Sequence, residues 1–328
     1  MRRKFKTIAY FSFSKKMHHT VDSETICLNS EQFAVYGCVC YFDIFKYPLK
    51  QSEIFEFAGK SILQKDIENT LEVLVALDII STCKGFYFLH GKNQARIETR
   101  TIAEQRFQKK NKTIKRFGKL ISKFPFVESV SISGSCSKGI LDAEGDVDYF
   151  IITAPNRVWL CRTLLIAFKK MFLFNSKKYF CVNYFIDVDH LEILDKNTFV
   201  AAEICTLIPL NNEGLFQKFL KVNDWTMQFF PNKQNYNPAF LKERKPQKYL
   251  SLLIELLLNN GFGNLLDKWC FLLTLNKWMK KFPDFSKEDF DLNLRSKKNV
   301  SKHHPRGYQK IVLTELRKRL AKVTVQAL

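Results

Sequence analysis

No apolar run in this chain reaches the length of a bilayer crossing. The longest candidate, Tyr249 to Leu258, is too short and is interrupted by Glu255. A membrane-spanning protein is therefore not expected. The basic N-terminal stretch M-R-R-K-F-K-T-I-A-Y-F-S-F-S-K-K lacks a clean apolar core followed by a small-residue cleavage site. A secretory leader is not expected either, and residues 1–28 read as a basic, disordered tail. Paired cysteine spacing is also missing. The nine cysteines are scattered and odd in number, which argues against a disulfide framework. Cys38-Val39-Cys40 has the wrong spacing for the usual zinc or redox pairs. The cysteines read as buried thiols in a reducing cytoplasm. Acid is the scarce charge: 32 acidic residues stand against 52 basic ones, for a net charge of +20. That balance favours polyanionic company, whether nucleic acid, nucleotide or anionic membrane, without choosing among them. A lysine-rich composition also follows from a low-GC genome.

What is present is a chain of 328 residues, 46% hydrophobic, long enough for two or three domains with real cores. Its most informative stretch runs from Val130 to Thr153, V-S-I-S-G-S-C-S-K-G-I-L-D-A-E-G-D-V-D-Y-F-I-I-T. It reads as a strand, a Gly-Ser turn, a short polar connection and a second strand opening with two aspartates. Asp146 and Asp148 are separated by one apolar residue, so on a strand both carboxylates point the same way. Two adjacent carboxylates repel each other, and a divalent cation between them removes the repulsion. Mg²⁺ suits such a site because it takes oxygen ligands and leaves room for phosphate oxygens. Upstream, Gly134 and Ser135 offer backbone N–H groups and a hydroxyl to an anion. An anion cradle beside metal carboxylates is equipment for phosphoryl or nucleotidyl transfer. The plain alternative is a surface loop with an incidental D-x-D at a strand entrance. Asp142 and Glu144 read as solvated loop.

The segment Gly134-Ser135-Cys136-Ser137-Lys138-Gly139, followed by Asp146-Val147-Asp148, resembles the signature of the nucleotidyltransferase superfamily of the DNA polymerase beta type, in its minimal bacterial form. The resemblance implies a mixed sheet flanked by helices. It implies that Gly134, Ser135 and Gly139 belong to a turn binding nucleotide phosphates, and that Asp146 and Asp148 hold two Mg²⁺ ions, with Mn²⁺ as a substitute. Lys138 stands where such members often carry an arginine and would touch a phosphate. The family also places a third acid on a later strand. The next strand candidate is Y-F-C-V-N-Y-F-I, from Tyr179 to Ile186, followed by Asp187-Val188-Asp189-His190. Asp189 or Asp187 is the candidate third catalytic acid, against no third acid at all. Asn183 is a weaker metal ligand or a hydrogen-bonded core residue, and both aspartates also fit as turn residues.

Upstream, residues 29–92 read as three helices and a hairpin: Ser30 to about Tyr47, ended by Pro48; Gln51 to Ala58; Asp66 to Leu77; then Ile79 to Leu89 turning at Lys84-Gly85. This is a winged-helix-like pattern. The outer face of its third helix would show Lys65, Glu68, Asn69 and Glu72, a poor surface for a phosphate backbone, so packing or protein binding is favoured over DNA. The segment Tyr41 to Leu49, Y-F-D-I-F-K-Y-P-L, is similar to the opening of a module that precedes the catalytic domain in some bacterial nucleotidyltransferase-domain proteins. With it the resemblance covers about two thirds of the chain. Residues 93–124 read as a connecting helix with Phe107, Ile114, Phe117 and Ile121 on one stripe and basic residues around it, either solvated or a rail for a polyanion.

The catalytic domain is expected over 125–210 and a helical region over 211–328, with loops at 231–247 and 283–305. Asn156 reads as the N-cap of a helix over 157–174. Arg157 and Arg162 near its start are candidates for substrate phosphates or for structural packing. Glu203 is either a paired structural charge or a site residue. Lys302-His303-His304-Pro305-Arg306 is a basic loop that lines the cleft or lies exposed, and its histidine pair alone does not make a metal site. The expectation is an α+β, cytoplasmic, metal-dependent nucleotidyltransferase. It would move an NMP from a nucleoside triphosphate, ATP first, to a hydroxyl on a small molecule, an RNA end or a protein. Two other classes stay open: a degenerate nucleotide-binding sensor or scaffold, and a nucleic-acid-binding regulator.

Overall fold

The computed structural model describes residues 27–91, 95–233 and 249–325. The fold is mixed α+β, 54% helix and 15% strand, as expected. The expected disordered tail lies outside the described residues except for its last two. There β1 (Cys27–Leu28) pairs in parallel with β11 (Thr324–Val325), bringing the two ends of the described chain together.

The N-terminal module begins with α1 (Ser30–Ile44), started by an Asn29 capping box. The Asn29 side chain accepts from the Glu31 and Gln32 N–H groups, and Gln32 Oε1 accepts from the Asn29 N–H at 2.9 Å. The helix stops at Ile44 rather than Tyr47, because Lys46 turns to φ +56° and Pro48 holds Tyr47 out of helical geometry. Then come β2 (Leu49–Lys50), α2 (Gln51–Phe57), α3 (Ile67–Ala76), β3 (Ile80–Cys83) and β4 (Phe86–Leu89). The hairpin turns where expected: Lys84 and Gly85 both have positive φ, as a tight hairpin turn with the strands' own twist demands. The unforeseen element is β2, whose two residues pair with Phe86 and Tyr87 to give the order β2-β4-β3. Lys65, Glu68, Asn69 and Glu72 are all exposed.

The connecting helix, α4 (Ala95–Ile121), buries Phe107, Ile114 and Ile121 on the expected stripe. It also buries Arg100. This guanidinium lies 4.0 Å over the Tyr47 ring, binds Glu53 and Glu104 at 2.8 Å and donates to the Pro48 carbonyl, tying α4 to the module. Lys109, Lys110, Lys112, Arg116 and Lys119 are exposed.

The central sheet follows from β5 (Val127–Ser133), α5 (Gly134–Ser137), β6 (Asp148–Thr153), α6 (Val158–Phe172), β7 (Cys181–Asp187), α7 (Thr198–Thr206) and β8 (Ile208–Pro209). After α8 (Glu213–Val222) and a 3₁₀ turn over Asp224–Gln228 come α9 (Tyr249–Leu258), α10 (Gly261–Lys281), α11 (Lys287–Asn293), β9 (Ser296–Lys297), β10 (Val300–Lys302) and α12 (Tyr308–Leu320). The sheet order is β8-β5-β6-β7-β10-β9, antiparallel except for the parallel pair β6/β7 joined through α6. Alternation along β6 sends Phe150 and Ile152 to a core shared with the N-terminal module, α7, α8 and α12. Tyr149 and Ile151 go to a second core with α4, α6 and α10.

Two expectations are corrected here. Residues 283–305 are not simply a loop: they carry α11, β9 and β10, and β10 joins the sheet beside β7. The sheet therefore draws two of its six strands from beyond the expected boundary at 210. Strands this short show no period of their own and exist because β7 offers them a ladder. Asn156, with φ +56°, does not cap α6. Instead Asp267 of α10 accepts from the Trp159 and Leu160 N–H groups at 2.9 and 2.7 Å. Burial, opposed by these bonds, pushes the Asp267 carboxyl up to about 6.

Asp43 on α1 is buried between Arg96 of α4, at 2.5 Å, and Arg319 of α12. Asp43→Ala leaves two guanidinia facing each other, each only about a fifth exposed. A loss of about 3 kcal/mol in urea unfolding is expected. A change below ~1 kcal/mol would show that this junction adds only a surface-grade ion pair.

Candidate functional site

The site lies at the end of the sheet where β5 hands the chain to the Gly-Ser turn. Gly134 has φ +64°, and a Cβ there would come within 2.7 Å of Asp148 Oδ2. Only glycine allows the turn to lie so close to that carboxylate. Gly134 to Ser137 form a single helical turn, held by Ser137 Oγ donating to the Gly134 carbonyl at 2.8 Å and lying 3.2 Å from Thr206 Oγ1. Gly139 has φ +75° and open space around it. It borders a cavity of about 550 Å³ shared by Lys50, Thr101, Glu104, Gln108 and Lys138, between α4 and the turn.

Asp146 and Val147 lead into β6 as extended chain. The Val147 N–H donates to the Lys178 carbonyl, and its carbonyl accepts from the Cys181 N–H. Val147 is fully buried while Asp146 and Asp148 are both half-buried, so the carboxylates share the opposite face. The Asp148 carboxyl is pushed up to about 6, first by burial and then by the charges of Asp146 and Glu203; Cys181 and Asn183 oppose this by hydrogen bonding. Among the described residues no three His, Cys, Asp or Glu side chains gather into a closed metal cage. A mutually repelling pair of carboxylates at an open strand end instead fits a hard divalent cation that completes its shell with water or phosphate oxygens.

Asn183 is brought to this pair. Opposite β6, Tyr149 faces Val182 and Phe150 faces Tyr184, so Asn183 is the extra residue of a bulge. Its Nδ2 donates to Asp148 Oδ1 at 2.9 Å. The two candidate third acids are not brought there. Asp148 pairs with Cys181 and Thr153 with Asp187, which puts Asp187 at the far end of the strand, roughly 16 Å away at 3.3 Å per residue. Asp187 is buried there, accepting from the Asp189 N–H and lying 2.6 Å from His190 Nδ1. Asp189 is exposed just beyond it. Asp187 ends β7 and Asp189 sits in the turn after it, and counting residues along a parallel pair reveals this once the register is known. Arg157 lies at that far end too. It is buried over Phe126 and donates to the Leu258 carbonyl at 2.7 Å and to Asn264 Oδ1 at 2.5 Å, so it holds the end of α9 rather than a phosphate.

Lys138 is also engaged. Its Nζ lies 2.7 Å from Glu203 Oε1 on α7 and 3.3 Å from the Gly134 carbonyl, bracing the turn from below. The basic loop after β10 is brought in. The His303 N–H donates to the Asn183 carbonyl at 2.8 Å. Burial, reinforced by the charge of Arg162, pushes His303 down to about 3; burial and Lys302 push His304 down to about 4. Both imidazoles are neutral near pH 7. No family model, characterised protein or solved structure matches the chain.

The raised Asp148 pKa has a signed consequence. Between its ordinary value of 3.8 and about 6 the folded state holds the extra proton, so stability falls as pH rises through that window and stays low above it. Asp148→Asn is expected to match the wild type below pH ~4 and to exceed it by on the order of 2 kcal/mol above pH ~6 in metal-free buffer. Added Mg²⁺ should narrow the gap by stabilising the wild type alone. Melting curves across pH check this, and parallel curves for the two proteins would refute it.

Proposed function

We propose that the chain is a metal-dependent nucleotidyltransferase. The observation that carries the reading is the close approach of Gly134 to half-buried Asp148, the second of the two aspartates, at the end of adjacent antiparallel strands. It brings together in space residues on which the sequence resemblance rests. The module of α1, β2, α2, α3, β3 and β4 has the element order of a winged helix. The mixed to acidic outer face of its α3 favours a protein partner over DNA.

In this reading Asp146 and Asp148 are the ligands for Mg²⁺, or Mn²⁺ in its place. The bound cation would neutralise the charge that builds on the triphosphate during transfer. The backbone N–H groups of Gly134 and Ser135 and the Ser135 hydroxyl would meet the phosphates of a nucleoside triphosphate, and Gly134 keeps the turn close enough to Asp148 for both features to meet one ligand. Lys138 and Glu203 hold the turn in place. An acceptor hydroxyl attacks the α-phosphorus in line and gives up its proton to solvent as the new P–O bond forms, the bond to the bridging oxygen breaks and pyrophosphate leaves. A second reading has one specific observation behind it. Beside Asp148 on β7 stands Asn183, an amide unable to take the hydroxyl proton, which favours a protein that binds nucleotide without turning it over.

Incubating the protein with each α-³²P-labelled nucleoside triphosphate, Mg²⁺ and a cell extract separates the two. Label is expected to move to an acceptor and to be lost in the Asp146→Ala/Asp148→Ala variant. Mg²⁺-nucleotide binding without label transfer would establish the sensor instead. Gly134→Ala is expected to weaken Mg²⁺-nucleotide binding at least ~10-fold, because its Cβ and its positive φ both force the turn away from Asp148.

A further inference from the structure

α6 starts beside the far end of β6 and runs back toward the end of the sheet that carries Asp148, before the chain enters β7 at Cys181. Its last turn brings Lys169 within electrostatic reach of Cys181, Lys177, Arg162 and Asp146. Arg162 lies two turns earlier on the same helix face. Both side chains are more than nine-tenths buried, at 8% and 6% exposure for Arg162 and Lys169. Neither has a carboxylate partner among the described residues. Arg162 stacks at 4.7 Å on Trp278 and its Nε has no hydrogen-bond partner. Lys169 makes no ion pair or side-chain hydrogen bond among the described residues.

Most other buried cations of the described chain are matched by acids, and the exception, Arg157, spends its guanidinium on the Leu258 carbonyl and Asn264 Oδ1. Arg100 is matched by Glu53 and Glu104, Arg295 by Asp195 and Asp291, and Lys302 by Asp195. A buried, unmatched cation is a standing cost, so two on one helix face mark a place where a counter-charge arrives from outside. One further cation and a neutral imidazole stand beside this place. Lys177 is exposed, and half-buried His303 packs at 4.8 Å on the same Trp278. The backbone of His303 hangs on Asn183, whose amide binds Asp148, and Lys169 lies within electrostatic reach of Asp146.

Position decides the role. The Gly134 turn lies on the β5 side of Asp148, while Arg162, Lys169 and His303 lie on the β7/β10 side. In-line displacement puts the acceptor and the leaving pyrophosphate on opposite sides of the α-phosphorus. We infer that Arg162, Lys169 and Lys177 form an anion subsite for the acceptor, and that the acceptor therefore carries a phosphate monoester group. Several unmatched cations suit a dianion better than a single carboxylate. The acceptor role rests on the nucleotidyltransferase reading; the anion subsite itself does not.

The test uses the full chain in metal-free, nucleotide-free buffer, with inorganic phosphate as the probe. Phosphate is expected to bind and to raise the melting temperature. Arg162→Met and Lys169→Met are each expected to weaken that binding at least ~10-fold. In phosphate-free buffer both variants should melt at or above the wild-type temperature, because each removes an uncompensated charge. A packing role for these side chains would instead lower the melting temperature and leave phosphate affinity unchanged. The Asp146→Ala/Asp148→Ala variant, which should lose label transfer, must keep phosphate binding. If phosphate binds but no label ever transfers, the subsite stands and the nucleotidyltransferase reading falls. If transfer occurs, Arg162→Met should slow it while leaving ATP affinity unchanged. Absence of phosphate binding, wild-type binding in both variants, or loss of ATP affinity in Arg162→Met would each overturn the inference.

Discussion

The register of β6 organises the functional end of this molecule. Asp148 is its first residue and faces Ser133 on β5 and Cys181 on β7. The β5 pairing brings the Gly134 turn against the carboxylate. The β7 pairing, with its bulge, turns the Asn183 amide onto the same group and offers the Asn183 carbonyl to His303. A one-residue slip would send Asp148 into the core and Val147 out to solvent. The apolar alternation behind the aspartates, Tyr149 through Ile152, resists that slip because both faces of the strand are buried in separate cores.

Charge is handled in two ways. Across the junctions of the fold, buried charges are matched. Asp43 joins α1, α4 and α12 through two arginines, and Arg100 ties α4 to the N-terminal module. At the site the matching stops. Among the described residues Asp146 and Asp148 make no ion pair, and neither do Arg162 and Lys169 on the neighbouring flank. These two sets are not paired with each other, although Lys169 feels Asp146. Unmatched charge of both signs, held apart at one end of a sheet, suits a ligand that brings a metal to one and a phosphate to the other.

Long periodic elements were legible in the sequence. The stripe Phe107, Ile114 and Ile121 gave away α4, and Gly85 gave away the hairpin. The strand–turn–strand reading around Gly134 and Asp148 also matched, because glycine at positive φ and alternation on a strand are local properties. What was not legible depends on partners distant in the chain. The helix cap at Asp267, more than a hundred residues from the N–H groups it accepts, could not be seen from the local candidate Asn156. The short strands β2 and β10 carry too few residues to show a period.

Residue type by itself therefore determined the two carboxylates, the glycine turn and the secondary structure around them, since each follows from near neighbours. Tertiary structure alone decided which other side chains belong with them. It moved Asp187, Asp189 and Arg157 to the far end of the sheet and gave Lys138 to Glu203. It carried His303, Arg162 and Lys169 to the near end. The reason is that a parallel strand pair fixes which end of each strand is shared. That end is set by the crossover helix and the ladder, not by any feature of the residues standing there.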